Sequence, residues 1–208
     1  MGRGVKLALC VLAAGASARL GQCKALVSLG GRSALERLLA ASAGLGDVPR
    51  VVVTGGDDGA IVRSAPSGCE LLFNPEWERG RSGGVLLAHR RLPDAALCVA
   101  PVDVPLVPAS VFEALAHKWD ELGAPASGWL APRLELRADP RDGRYGHPVI
   151  VGPALLDQLE TLGPSADLRE LRRASHPLSR VGVGAPEILD DLDLPGDLER
   201  LQRRLGRP

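Results

Sequence analysis

The sequence predicts a three-layer α/β domain, a mainly parallel sheet with helices on both faces. Three observations lead there. Short apolar runs of strand length alternate with amphipathic stretches about ten residues long. The 208 residues are enough for one sizeable core and few for two, so 1–208 reads as a single domain. No internal repeat or low-complexity tract breaks the alternation.

In chain order, VKLALCVLA predicts a strand over Val5–Ala13. It is apolar at nearly every position rather than at alternate ones, as a strand covered on both faces requires. Leu35, Leu38, Leu39 and Ser42 fall on one face of a helix over Ser33–Ala43. RVVVT predicts a strand over Arg50–Thr54, and ELLF another over Glu70–Phe73. A helix is expected over Ser82–Arg91, a strand over Ala96–Val102, and a helix over Pro108–Leu122 with Ser110 near its start. Ser127–Leu130 and His147–Val151 read as strands, and Pro153–Leu162, Ala166–Ala174 and Pro195–Leu205 as helices. Pro153 suits a helix start, while Gly44 and Gly163 suit helix stops. Strands joined through helices of this length need right-handed crossovers, hence a parallel sheet. The stretch APRLELRADPRDGRYG, 131–146, is polar and turn-rich and is expected to run as an extended excursion over the active face.

Composition excludes several functions. Net charge is zero, which leaves no whole-chain electrostatic footprint for nucleic acid or an anionic membrane. Aromatics at 3% argue against base-stacking platforms for single strands. No apolar run approaches the ~20 residues that span a bilayer. The N-terminus imitates a secretory signal, with Arg3 and Lys6 before an apolar run and ASA at 16–18, but that run reads equally well as the first strand. Cys10, Cys23, Cys69 and Cys98 form no C-x-x-C pair, and two lie inside strand-like runs; buried thiols in a reduced, cytoplasmic compartment fit.

The chemistry concentrates in LAAGASARLGQCK, Leu12–Lys24. Open α/β sheets bind ligands at the carboxyl ends of their strands, so a loop leaving the first strand is well placed. Small residues at Ala13, Ala14, Gly15, Ala16 and Ser17 let backbone N–H groups approach an anion closely. Arg19 and Lys24 supply countercharge, the latter one of only three lysines. The loop suits a polyphosphate. It is not a dinucleotide fingerprint, and it misses the Walker spacing because Gly15 to Gly21 is one residue too long and Ala25 follows Lys24.

The stretch resembles the L-A-A-G-x-S-x-R-x-G-x-x-K signature of the MobA-like NTP transferases, which include the molybdenum cofactor guanylyl- and cytidylyltransferases. Later segments extend the resemblance from Val5 to about Leu201. ALVSLGGRSALERLL is similar to the family's short strand, turn and helix. FNPEWERGRSGGVLLA resembles its nucleotide-base turn, with Asn74, Ser82 and Gly83 at the contacting positions and its serine run thinned. CVAPVDVPLV carries Asp103 where the family has a metal-binding Asp-x-Pro, and LDDLDLPGDLERL carries Asp193 at the second metal position, with Asp191 before it and Leu194 in place of Thr. Asp197 is better read as a first-turn acid facing a helix dipole. GRYGHPVIVG matches the acceptor-side G-H-P segment and makes His147 an acceptor contact. His89, His117 and His176 are read as surface or packing residues.

The resemblance implies a Rossmann-like nucleotidyltransferase fold and transfer of an NMP to a phosphorylated small-molecule acceptor such as molybdopterin, releasing pyrophosphate. Mg²⁺ is the implied cofactor, held between Asp103 and Asp193, with Lys24 and Arg19 as catalytic cations. Leu12, Ala13, Ala14, Gly15, Ser17, Arg19, Lys24, Asn74, Ser82 and Gly83 are the implied nucleotide-binding set. Ala13-Ala14-Gly15 leans toward CTP over GTP, and a molybdoenzyme is the implied receiving partner. One departure stands out: GPSADLRELRR, 163–173, lacks the Asp and second Gly of the family's G-D-x-G-A-R. It favours another phosphomonoester, a sugar or alcohol phosphate, as acceptor. A non-catalytic nucleotide-binding regulator is the third reading.

Overall fold

A computed structural model describes residues 6–64 and 66–206. Val5, the expected first residue of the first strand, lies outside them. The chain begins with β1 (Lys6–Ala13), then a small antiparallel hairpin of β2 (Ser28–Leu29) and β3 (Arg32–Ser33), then α1 (Ala34–Ala41). It continues through β4 (Arg50–Thr54), α2 (Asp58–Ser64), β5 (Glu70–Phe73), α3 (Arg81–Arg91), β6 (Ala95–Pro101) and α4 (Ala109–Glu121). The last part holds β7 (Trp129–Leu134), β8 (Val149–Val151), α5 (Pro153–Leu162), α6 (Leu168–Ala174), β9 (Leu178–Val183) and α7 (Pro195–Leu205).

Seven strands form one sheet in the order β5-β4-β1-β6-β8-β7-β9. All neighbours pair in parallel except at β8, which is antiparallel to both β6 and β7. β1 shows why its sequence lacks polar alternation. Leu9, Val11 and Ala13 point into one apolar layer with Leu38 of α1 and Phe112, Leu115 and Trp119 of α4. Ala8 and Cys10 point into the other, with Val85 and Leu86 of α3 and Leu155 and Leu159 of α5. Each fully buried Leu or Phe in these layers contributes about 1.5–3 kcal/mol. Burial pushes the Cys10 thiol up to about 12, in keeping with a packing role, and all four cysteines are free.

Local chemistry explains the helix ends. Ser33 accepts from the Glu36 amide at 3.1 Å while the Glu36 carboxylate accepts from the Ser33 amide at 2.7 Å, a reciprocal cap that starts α1. Pro153 opens α5, and Gly163, at φ 88°, closes it.

The structure corrects the expected elements in three places. The strand expected over Ser127–Leu130 runs instead over Trp129–Leu134, so only 135–146 is loop. Ala131–Leu134 looks polar in sequence but pairs in parallel with β9, a half-exposed edge strand whose LSRVGV carries no clear apolar rhythm. α2 was also unforeseen: seven residues with a glycine inside them give too little periodicity to read. β8 is shorter than expected, leaving His147 just outside the sheet. No helix among the described residues is long and apolar enough to cross a membrane.

The topology positions the site. From β1 the chain moves outward through β4 and β5, then returns to β6 on the other flank of β1. Strand order reverses there, so the carboxyl ends of β1 and β6 open a crevice between diverging loops. The Val102 amide donates to the Leu12 carbonyl at 3.0 Å, which places Asp103 beside the loop leaving β1.

Candidate active site

The loop after β1 is held open by its own polar groups. Ser17 sits in the left-handed region at φ 51°. Its hydroxyl donates to Asp57 Oδ2 at 2.8 Å and accepts from the Lys24 amide at 2.8 Å. Leu20 and Gly21 donate backward to the Ser17 carbonyl at 3.0 and 3.2 Å. The Gly56 amide donates to the Ala14 carbonyl at 2.9 Å, and a Cβ on Gly55 would stand 2.3 Å from that same oxygen. Only glycine permits the segment after β4 to lie so close beneath the loop.

This loop walls a cleft of about 330 Å³. Leu12, Ala13, Ala14, Gly15, Ser17, Arg19 and Lys24 all line it, as do Asn74, Asp103 and Asp193. Lys24 Nζ lies 2.6 Å from Asp193 Oδ1, and Arg19 Nη2 lies 3.8 Å from Asp193 Oδ2. The hydrogen bond from Lys24, then the charges of Lys24, Arg19 and Arg81, hold the Asp193 carboxyl below its ordinary range against the opposing effect of burial. Asp103 is buried, and its Oδ2 accepts from Arg81 Nη2 at 2.9 Å. Burial, then the charges of Asp103 and Asp193, push the neighbouring Asp191 carboxyl up. Asp197 caps α7, accepting from the Asp193 and Leu194 amides at 3.1 and 2.9 Å.

Asn74 is buried at the end of β5, its Oδ1 accepting from the Glu76 amide at 3.1 Å and its Nδ2 left without a partner. Ser82 turns away from this cleft and donates to the Ala166 carbonyl. Gly83 packs against Pro164 and Asn74, each 3.5 Å from where a Cβ would stand. Ser82 and His147 line a second, adjoining cleft of about 580 Å³, with Trp129, Val149, Arg169 and Arg172. Burial, ahead of the opposing Asp103 charge, lowers the His147 imidazole and keeps it neutral, and its Nδ1 is buried without a partner. His89 serves packing, buried on α3 with Nε2 2.8 Å from Asp157 Oδ1.

Sequence reasoning missed two residues here. Asp57 anchors the loop through Ser17, and the pattern TGGDD at a strand end, 54–58, was its signal. Arg81 bonds Asp103 from within the quoted GRSGG, hidden among many arginines.

The residues fit a divalent cation. Asp103 Oδ1 is buried with no hydrogen-bond donor, an orphaned anionic oxygen that a cation would satisfy. Among the described residues no three His, Cys, Asp or Glu side chains could hold a metal by themselves. Mg²⁺ binds in that way, through one or two carboxylates completed by phosphate oxygens and water.

The MobA-like NTP transferase domain matches residues 9–181. The chain belongs to that family. None of the curated proteins compared matches it. Solved structures share the fold at low identity. Rv0371c from Mycobacterium tuberculosis is 23% identical with a TM-score of 0.77, covering 97% of this chain and 100% of that one. The same protein in complex with manganese is 22% identical, with a TM-score of 0.73 over 95% and 98% of the two chains. Molybdopterin-guanine dinucleotide biosynthesis protein A from Archaeoglobus fulgidus is 22% identical, with a TM-score of 0.68 over 95% and 97%. The loop, Asp103 and Asp193 line one cleft within this MobA-like NTP transferase chain.

Proposed function

We propose that this chain transfers an NMP, CMP from CTP in the leading reading, to a phosphorylated acceptor such as molybdopterin, with release of pyrophosphate. The observation that carries the reading is that Lys24, Asp103 and Asp193, far apart in sequence, line one cleft with the glycine loop. An acceptor phosphate oxygen attacks the α-phosphorus and forms a new P–O bond. The bond from the α-phosphorus to the β-phosphate oxygen breaks, and pyrophosphate leaves with the electron pair.

The protein's part is positioning and charge neutralisation. The amides of Ala13–Ser17 cradle the phosphates, and Lys24 and Arg19 stabilise charge on the departing pyrophosphate. Asp103 and Asp193 would hold Mg²⁺, which would offset the charge on the phosphate oxygens. The free Asn74 amide faces the nucleotide, with Ser82 and Gly83 shaping the adjoining turn. Neutral His147 meets the acceptor from the second cleft. Ala13-Ala14-Gly15 supports CTP over GTP. Residence in the cytoplasm and delivery of product to a molybdoenzyme belong to this reading, the former supported by four free cysteines.

One observation favours a different acceptor. Asp167, Leu168, Arg169 and Arg172, from the segment that departs from the family pattern, line the second cleft. Another phosphomonoester, a sugar or alcohol phosphate, is therefore the second reading. Pyrophosphate release measured with four NTPs, each against molybdopterin and a panel of phosphomonoesters, tests both. Turnover with CTP and molybdopterin supports the first, and turnover with a sugar or alcohol phosphate alone supports the second. Silence with tight NTP binding would instead identify a regulator.

A further inference from the structure

We propose that Arg81 is a further catalytic residue, one that neutralises Asp103 in the metal-free protein and moves to the reacting phosphates when a divalent cation takes that carboxylate. The inference rests on the nucleotidyl-transfer reading and adds to it a residue which that reading leaves unused.

Arg81 is the first residue of α3 and follows Gly80, whose φ of 118° turns the chain into the helix. Its guanidinium reaches Asp103 Oδ2 at 2.9 Å, yet 60% of the side chain is exposed. An ion pair with one partner so exposed is weak and readily exchanged. Leu12, Arg81 and Pro101 line both clefts, and Arg81 alone of them is charged. Its field acts on Asp191, Asp193 and His147 alike, so it stands among both metal-ligand segments and the acceptor side.

That position is where the chemistry must occur. A phosphate entering from the second cleft meets the α-phosphate in the first, and two anions are forced together. A planar guanidinium fork can bind an oxygen from each, which a point charge does less well. A divalent cation taking the free Asp103 Oδ1 would stand across one carboxylate from the guanidinium on Oδ2, and repulsion between the two like charges would loosen the Arg81 pair. Cation binding and release of Arg81 toward the phosphates are therefore linked.

The test pairs two readouts on Arg81→Ala and Arg81→Lys. The first is Mn²⁺ affinity of the nucleotide-free protein, measured by electron paramagnetic resonance. The second is kcat and KM for pyrophosphate release. Arg81→Ala should bind Mn²⁺ about two- to fivefold more tightly, because a competitor for Asp103 is gone. Its kcat should fall about a hundredfold with KM for the NTP little changed. Arg81→Lys should keep wild-type Mn²⁺ affinity and recover only part of kcat. A merely structural arginine would give weaker or unchanged Mn²⁺ binding in Arg81→Ala, and that result overturns the proposal, as does an unaltered kcat. A wild-type chain that releases no pyrophosphate sinks the nucleotidyl-transfer reading and the catalytic role together, whereas the Mn²⁺ titration separately decides the ion-pair exchange.

Discussion

Lys24 Nζ and Asp193 Oδ1 lie 2.6 Å apart across 169 residues of sequence, closing the glycine loop of β1 against the segment that leads into α7. In the proposed reaction the pair joins the loop that would receive the phosphates to a carboxylate that would hold the cation.

Replacing Lys24 with Ala should lower kcat/KM for pyrophosphate release by about 10²–10³, the usual effect of deleting a preorganised charge-stabilising donor. Arg19 still faces Asp193, so the thermal midpoint should move by only a few degrees. Wild-type turnover in this variant would remove the central role assigned to the lysine.

Asp103→Asn keeps the side chain's size and deletes its charge. Divalent-cation affinity, read by Mn²⁺ titration, should weaken by at least about tenfold, since one of the two proposed carboxylate ligands is lost. Affinity equal to wild type would mean that the ion sits elsewhere.

Ser17→Gly separates backbone from hydroxyl, because glycine adopts φ 51° freely. Two hydrogen bonds disappear, to Asp57 and from the Lys24 amide, each worth about 1 kcal/mol. The melting temperature should drop by a few degrees and KM for the NTP should rise. If KM holds while stability falls, the loop does not need this clamp to receive phosphate.

The loop 135–146 is tied down by acid-sensitive pairs. Hydrogen bonds from the Arg141 side chain and amide hold Asp139 at about 2, well under its ordinary 3.8. A carboxyl lowered by folding contributes stability that is complete above about pH 4 and disappears as pH falls through about 2. Denaturant midpoints of wild type and Asp139→Asn should therefore differ at pH 6 and converge near pH 2. A gap that persists at pH 2 would point to packing rather than charge.

The first half of the sheet was legible because β1, β4 and β6 are buried on both faces and so read as unbroken apolar runs. The second half was not. β7 contains Pro132 and Arg133 and is stabilised by β9, an edge strand that is itself polar, so neither carries its own signal. The loop's composition is legible locally, and seven of its named positions line one cleft. Ser82 was misread in part: its hydroxyl is committed to the Ala166 carbonyl, a partner 84 residues away that no local pattern reveals.

By itself, the sequence determined which segments must be buried and which residues could carry charge to a phosphate. Apolar periodicity and small-residue loops are local properties of the chain, and these follow from them. Only the tertiary structure decided which charges meet: that Asp193 answers Lys24, that Asp57 holds Ser17, and that Arg81 stands between two clefts with its hand on Asp103. Such pairings depend on strand order, because the return of the chain to β6 brings carboxyl ends together from distant parts of the sequence, and no local pattern records that reversal.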